Sequence, residues 1–353
     1  MKKRVCLAVL LASTASIAHA QVNDPGALRA EVDRNGVDLF SGTVSLSRQD
    51  IAIGDSQFGL TYERIWRDTY WTDSNNIHLT FNNNRYTVTI GAFAEEFIQN
   101  DGNSLSNAQG TSSSLSGGNG SMYYRATDGT QYLFETKNAY NAAENKDYAR
   151  ITGIYRAGND TTIFSYNKYN VCVTQKSGNC KTYKEVPRLS KVTRNGLYTL
   201  EPKYAIDKAG MPYDLPAFYE VSSVTAKNNA VECNPNDVSS CGEWPTARYT
   251  QTSAANPSGR IDQYTIENSK ITAIRHAGFE SDDVKIQYAG SRVSSLTVSG
   301  VTSYYSYENN TTLNESTTKV TNSDGTYRTV VFDNTTKAIK ALLMKKGVFA
   351  ITS

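Results

Sequence analysis

Few side chains in this sequence could carry out acid–base or nucleophilic chemistry. Of its three histidines, only His78 and His276 lie beyond the first twenty residues. His78 falls in the alternating run IHLTF, and both histidines are predicted to be surface residues of strands. No G-x-S-x-G, H-E-x-x-H or phosphate-loop motif is present. The sequence therefore predicts no catalytic residue and no enzyme.

Two pairs of adjacent acids are candidates for a catalytic carboxylate pair. They are Glu95-Glu96 and Asp282-Asp283. Neighbouring residues on a strand point to opposite faces of the sheet, so neither pair converges on one substrate without a bulge. We expect all four to be solvated turn charges.

Aromatic residues offer a better functional candidate. The segment RIWRDTYWTD places Trp66, Tyr70 and Trp71 close together among charged residues. Flat aromatic surfaces with polar neighbours suit sugars or protein partners. We predict that these three residues bind a cell-surface glycan or protein. The alternative, in which Trp66 belongs to the core and Tyr70 and Trp71 cap a sheet end, stays open.

Four cysteines lie beyond the first twenty residues, in two pairs of identical spacing. The pairs are Cys172 with Cys180 and Cys233 with Cys241, each enclosing turn-forming residues. An even number in an exported chain favours disulfides, and hairpin-tip bonds within each pair are predicted, although two other connectivities remain open. The spacing lacks the close pairs of a zinc site, so neither a metal nor a cofactor is predicted.

The first twenty residues have the pattern of a secretory signal peptide. A basic start at residues 2–4 precedes the apolar run Val5–Leu11 and the small-residue end Ala18-His19-Ala20. Residues 1–20 are therefore predicted to direct export by the Sec pathway, to the periplasm, the cell surface or the medium. No later run approaches the roughly 20 apolar residues of a membrane-spanning helix.

Net charge argues against a nucleic-acid partner. The signal segment contains three of the 36 basic residues and no acid, which leaves 33 basic against 34 acidic side chains. A chain so nearly neutral lacks the basic surface that would attract a phosphate backbone.

Alternation of apolar and polar residues predicts an all-β fold of short antiparallel strands and hairpins, stacked into an open sheet, for which the resemblance described below implies a spiral. We divide the chain into a β-rich N-terminal region, 21–137, and a hairpin array, 138–353. The stretch 100–121 has almost no apolar residue and is predicted to be a flexible loop. Asp128-Gly129 and Asp324-Gly325 predict tight hairpin turns.

The second half contains an imperfect repeat. Each unit starts with two apolar residues three positions apart and ends on a strand that carries a tyrosine. The residues concerned are Ile151, Ile154 and Tyr166; Leu189, Val192 and Tyr204; Val221, Val224 and Tyr249 in a weaker copy; Ile271, Ile274 and Tyr288; and Val293, Leu296 and Tyr307. Single hairpins bury too little to fold alone, so they must stack.

These units resemble the YD repeats of the Rhs family and of teneurins. PRLSKVTRNG and SRVSSLTVSG carry the likeness, and NGVDLFSGTVSLSRQDIAIG followed by FGLTYERIW resembles the opening segment of such proteins. In this chain Ser41 stands where threonine is usual and Trp66 where tyrosine is common. The resemblance implies a β-sheet that spirals, in larger relatives, into a shell around a toxic domain.

The self-cleaving segment and the toxin of those relatives have no counterpart in this sequence. We therefore predict a secreted or surface scaffold, without enzymatic activity, for envelope interaction, adhesion or toxin delivery, with a partner chain at the C-terminal sheet edge. Two alternatives are a carbohydrate-active or carbohydrate-binding β-protein, using acids such as Asp68 or Asp73, and a truncated remnant of a longer Rhs-type toxin.

Overall fold

The computed structural model describes residues 32–67, 69–82, 84–91, 93–100, 104–108, 110–118, 120–135, 147–176, 179–206, 218–231, 244–335, 337, 339–344 and 347–349. The fold is all-β and antiparallel, with an open sheet, which confirms the predicted fold class. Among these residues, no helix has the length and apolar character needed to cross a membrane.

The N-terminal strands are β1 (Ser45–Ile53), β2 (Leu60–Arg67), β3 (Tyr70–Asp73), β4 (Ile77–Asn82), β5 (Arg85–Ile90), β6 (Phe93–Gln99), β7 (Leu105–Asn107), β8 (Ser114–Gly118), β9 (Ser121–Arg125) and β10 (Gln131–Glu135). A long central set follows: β11 (Asp147–Arg156), β12 (Asp160–Lys176), β13 (Asn179–Arg194), β14 (Tyr198–Tyr204), β15 (Val221–Asn228), β16 (Thr246–Thr250), β17 (Ser253–Ala255) and β18 (Ile261–Glu267). The last strands are β19 (Lys270–Arg275), β20 (Val284–Ala289), β21 (Arg292–Val298), β22 (Val301–Asn310), β23 (Glu315–Asn322), β24 (Tyr327–Asp333), β25 (Ile339–Met344) and β26 (Gly347–Phe349). A 3-10 turn, Ala157–Asn159, lies between β11 and β12.

Two sheets are present. Strands β1, β2 and β3 form a small sheet, and β4 to β26 follow one another in chain order in a large one. The large sheet branches at β11, because one edge of that strand pairs with β10 and the other pairs with both β4 and β12. The predicted boundary between residues 137 and 138 lies outside the described residues, and the large sheet includes strands from both sides of it.

The small sheet packs against the large one in a shared core. Tyr62 and Trp66 of β2 belong to the same buried cluster as Val224, Ile271 and Leu296 of the array. Apolar side chains at alternate positions of each strand create this face, since successive side chains of a strand point to opposite sides. The N-terminal strands therefore cover the buried face of the array.

Three of the five predicted repeat units share one hydrogen bond. In three units, the hydroxyl of the closing tyrosine donates to the backbone carbonyl of the first apolar residue, each time at 2.8 Å. These pairs are Tyr166 with Ile151, Tyr204 with Leu189, and Tyr288 with Ile271. In the other two units, the hydroxyls of Tyr249 and Tyr307 are buried and have no partner among the described residues.

The residues just before β1 dock onto the last strands of the array. The hydroxyl of Tyr305 donates to Asp33 Oδ2 at 2.7 Å, and Thr318 Oγ1 donates to the carbonyl of Leu39. The backbone N–H of Val293 donates to the carbonyl of Gly42 at 2.8 Å. Residues 33–42 are thus held by side-chain and backbone contacts to strands more than 250 positions away along the chain.

Gly42 is a point of close approach in this contact. Its φ is +76°, and a Cβ there would lie 2.7 Å from Arg292 Cγ and 3.0 Å from Tyr307 Cζ. Gly129 has a similar φ, +84°, but nothing would lie within 4 Å of its Cβ. An alanine at position 129 would therefore meet only the energetic cost of the left-handed backbone, whereas an alanine at position 42 would also clash with neighbouring atoms.

We expect Gly42→Ala to lower the free energy of unfolding by on the order of 2 kcal/mol more than Gly129→Ala, because only Gly42 adds overpacking to the left-handed backbone cost. Urea unfolding of both variants measures this difference. Equal losses in the two variants would show that the contact with Arg292 and Tyr307 relaxes at no cost.

The segment 100–121 differs from the predicted flexible loop. It contributes β7 and β8, and its polar residues surround Glu95. Glu95 Oε1 accepts from Asn107 Nδ2 at 2.6 Å, Thr111 Oγ1 at 2.6 Å and Ser113 Oγ at 2.7 Å, and its Oε2 accepts from the Tyr124 hydroxyl at 2.7 Å. The small polar residues that suggested a loop are therefore hydrogen-bond donors to a buried carboxylate.

Glu95 also corrects the expectation of solvated turn acids. It is fully buried on β6, while its neighbour Glu96 points to the other face and pairs with Arg85 at 2.8 Å. The opposite orientation of the two side chains follows from the strand, as expected. Their burial differs because only one side of β6 faces the core.

Aspartate–glycine sequences lie in hairpin connections as predicted, but the connections are longer than two residues. Residues 126–130 join β9 to β10, and residues 322–326, which begin with the last residue of β23, lead into β24. In each, the first N–H donates to the fifth carbonyl and the fourth residue is a left-handed glycine, Gly129 or Gly325. The loop Asn256–Arg260 repeats this pattern with Gly259.

Candidate functional site

A β-bulge in β1 creates the first charged element of the site. The register between β1 and β2 shifts between Gln49 and Ile51, so Asp50 has no residue directly opposite. Bulges re-aim a side chain, and Asp50 Oδ2 accepts from Arg64 Nε at 2.7 Å. The two side chains are only 9% and 4% exposed. The result is a buried ion pair between β1 and β2.

Aromatic rings surround the guanidinium of this pair. The Arg64 Cζ atom lies 4.4 Å from the ring centres of both Trp71 and Tyr249, and 5.7 Å from that of Tyr264. These rings come from β3, β16 and β18, so Arg64 joins the small sheet to the array. Cation–π contacts of this kind contribute about 2 kcal/mol when desolvated. Burial raises the pKa of Asp50, and the charge and hydrogen bond of Arg64 oppose that rise.

Beside this ion pair, β18 presents a second carboxylate. Asp262 accepts from Arg48 of β1 at 2.5 Å and from the backbone N–H of Ala277 at 2.9 Å. Desolvation would lower the pKa of Arg48, but the hydrogen bond and charge of Asp262 outweigh it and raise that pKa. The Arg48–Asp262 pair is therefore a second link between β1 and the array.

A histidine–aspartate pair lies in the loop that joins β19 to β20. Asp283 accepts from the backbone N–H of His276 at 2.8 Å, and its Oδ2 lies 2.6 Å from His276 Nδ1. Burial alone would raise the pKa of Asp283, but the hydrogen bonds from His276 lower it. The carboxylate thus fixes the imidazole through Nδ1.

Of these groups, Arg48, Asp50, Asp262 and His276 line one pocket of about 390 Å³ between β1 and the array. Volumes of this size accommodate small ligands. The lining residues are Arg48–Asp50, Ala254, Asn256, Arg260, Asp262, His276 and Ala277. The pocket is polar, and it can hold a ligand that both donates and accepts hydrogen bonds. Within the described ranges, no three or more His, Cys, Asp or Glu side chains are grouped to hold a metal ion.

The structure places the three predicted binding aromatics differently from one another. Trp66 is 1% exposed and lies in the core, with its ring centre 5.2 Å from that of Trp71. Trp71 is partly buried against Arg64, and Tyr70 is 56% exposed. A glycan or protein could therefore contact Tyr70 but not Trp66. The burial of Trp66 corresponds to the alternative in which it is a core residue, and binding by Tyr70 and Trp71 stays a prediction.

The two acids proposed beside the tryptophans also have different environments. Asp68 lies outside the described residues. Asp73, at the end of β3, accepts from the backbone N–H of Asn75 at 2.8 Å and from the Tyr62 hydroxyl. Burial raises the pKa of Asp73 to about 6 in spite of these hydrogen bonds. Asp73 does not line the pocket.

One predicted disulfide is present. Cys172 and Cys180 are bonded within the long hairpin of β12 and β13, close to its turn, which confirms the hairpin-tip interpretation for this pair. Cys233 and Cys241 lie outside the described residues.

Both histidines differ from the predicted surface strand residues. His276 lies in a loop, in contact with Asp283, and His78 lies on β4 but is partly buried next to Asn76. Desolvation lowers the pKa of His78 to about 4, with Arg67 and Arg150 adding to the effect. One sequence pattern could have indicated part of the site: Asp283 follows His276 by seven residues, a spacing that allows the two side chains to meet across a turn.

No protein-family model and no curated protein matches the chain. Among solved structures, the N-terminal domain of effector protein SpvB from Salmonella typhimurium strain LT2 is similar at 10% identity and a TM-score of 0.31, over 87% of this chain and 99% of that one. A TM-score this low does not establish a common fold. Inferences about function therefore depend on the residues of this chain.

Proposed function

We propose that this protein is an exported scaffold without enzymatic activity, of the Rhs/YD-repeat kind, that binds a glycan or protein partner at the cell envelope. The main support for the proposal is that the chain itself covers the buried face of the hairpin array. Tyr62, Trp66 and residues 33–42 fill that face with the chain's own side chains. The surfaces left for a partner are the outer face, the loops and the pocket.

Export is supported by two independent features. The first twenty residues have the order of charges and apolar residues of a signal peptide. The bond between Cys172 and Cys180 is of the kind that persists in oxidising compartments. Neither feature selects between the periplasm, the cell surface and the medium.

A scaffold and an enzyme differ in what happens to the bound partner. We expect labelled full-length protein to bind intact bacterial cells saturably, and to release no product from cell-wall or surface glycans during prolonged incubation. Product that accumulates in proportion to protein concentration, and is lost in the Asp262→Asn variant, would contradict the proposal in favour of a carbohydrate-active enzyme. That alternative has one supporting observation, which is that Asp50 and Asp262 line the same pocket.

Export is tested separately with a reporter. Residues 1–20 fused to alkaline phosphatase, which is active only after export, should give activity. Leu10→Arg, which interrupts the apolar run, should abolish it. Equal activity of the two fusions would refute a signal peptide.

A further inference from the structure

The carboxylates that line the pocket already have cationic or backbone partners. Asp50 is paired with Arg64, and Asp262 is paired with Arg48 and with the N–H of Ala277. Buried or partly buried carboxylates are stable when they are matched in this way. A ligand is therefore not required to supply positive charge to this site.

Donors in the same pocket remain available. The guanidinium of Arg260 has no partner within the described part of the chain, although its backbone N–H donates to Asn256 Oδ1 at 3.0 Å. Arg48 also lines the pocket, and its Nη2 donates to Asp262. His276 Nδ1 faces the Asp283 carboxylate, so its N–H donates there and Nε2 of the neutral ring is an acceptor for a ligand hydroxyl. The pocket therefore offers a guanidinium for an anionic group and an acceptor for a hydroxyl group.

We infer that this pocket binds the carboxylate of a small acidic sugar, with Arg260 as the principal anchor. The planar fork of an arginine matches the two oxygens of a carboxylate. The side chain of Gln49 lines the pocket and suits sugar hydroxyls because its amide both donates and accepts. Asn256 also lines the pocket; its Oδ1 accepts from Ser258 and Arg260, and its Nδ2 is the donor it can offer a hydroxyl. The volume of about 390 Å³ fits a ligand of this size.

Charge in the wall of the pocket favours a carboxylate over a phosphate. A carboxylate carries one negative charge, whereas a phosphate group carries about 1.5 to 2 at neutral pH. Asp50 and Asp262 repel either anion, and they repel the more highly charged one more strongly. This inference adds a ligand to the scaffold function proposed above. Binding of that ligand in the pocket does not depend on which partner the other surfaces of the scaffold bind.

Calorimetric titration of the full-length protein with sodium glucuronate, glucose and inorganic phosphate at constant ionic strength tests the inference. We expect glucuronate to bind at least about tenfold more tightly than either of the others, which corresponds to the loss of one charged hydrogen-bonded contact. Affinity for glucuronate should fall as salt is raised, because Arg260 is solvent-exposed.

Variants locate the site. Arg260→Gln should weaken glucuronate binding about tenfold, and Arg260→Lys should weaken it less because charge remains without the fork. Arg248→Gln removes an exposed arginine from the neighbouring strand β16, outside the pocket, and serves as the matched control with unchanged affinity. Equal melting temperatures of these variants and the wild type show that folding is intact.

Three results would overturn the inference. They are equal affinity of the wild type for glucuronate and glucose, tighter binding of phosphate, and unchanged affinity in Arg260→Gln. Each leaves the cell-binding assay of the scaffold unaffected, since that assay reads total binding to the envelope. Conversely, loss of cell binding with intact glucuronate binding would refute the scaffold proposal alone.

Discussion

Replacing Arg64 with methionine is expected to lower the free energy of unfolding by on the order of 3 to 5 kcal/mol, because it leaves the buried Asp50 carboxylate without its partner. It also removes the cation from between Trp71 and Tyr249. Chemical denaturation at pH 7 measures the loss. A cost below about 1 kcal/mol would mean that Asp50 is solvated in solution.

The double variant Asp50→Asn with Arg64→Met separates the orphaned charge from lost packing. Replacing both partners of a buried ion pair by neutral groups is often close to neutral. We therefore expect the double variant to be more stable than Arg64→Met alone. If it is less stable, the packing of Arg64 against the rings, and not its charge pairing, determines the effect.

Asp73 and His78 are expected to make stability depend on pH in opposite directions. Asp73 has a pKa of about 6 in the fold against 3.8 as the ordinary value. Between those values the unfolded chain has lost this proton and the folded chain retains it, so stability falls as pH rises. The full effect is about 3 kcal/mol, reached above pH 6.

His78 has the reverse sign. Its pKa is about 4 in the fold against 6.5 as the ordinary value, so the unfolded chain binds a proton first as pH falls. Stability is therefore lost as pH falls from 6.5 to 4, by about 3 kcal/mol in all. Between pH 4 and 6 the two contributions largely cancel in the wild type.

Single variants should expose each contribution. Asp73→Asn is expected to be more stable than the wild type above pH 6, by up to about 3 kcal/mol, with no gain at pH 4. His78→Gln should differ most from the wild type at pH 4 and least above pH 6.5. Urea unfolding at pH 4, 5, 6 and 7 gives these curves, and curves parallel to that of the wild type would disprove both assignments.

Sequence patterns predicted the strands well, because alternation reports which face of a strand is buried. The strand FGLTYERIW shows the limit of this approach. Leu60, Tyr62 and Trp66 follow the alternation and are buried, but Arg64 occupies a buried position of the same face. Its partner is Asp50, and only the bulge in β1 turns that side chain towards it. Hydrophobic pattern alone does not report a bulge.

The pocket was beyond prediction for a different reason. Arg48 and Asp262 are 214 residues apart along the chain, and their contact depends on how the small sheet lies on the array. No local spacing encodes that placement. The binding prediction for the tryptophans, by contrast, depends on their closeness in sequence, and Trp66 is a core residue.

The contact between residues 33–42 and the last strands has a consequence for biogenesis. Asp33 and Tyr305 are 272 residues apart, so synthesis from the N-terminus completes the first of them long before the second. Residues 33–42 cannot make these long-range contacts until β21 to β24 have been synthesised. The same contact makes docking of this segment a late step in folding, since loops this long close slowly. A chaperone that protects the emerging N-terminal segment would act in that interval.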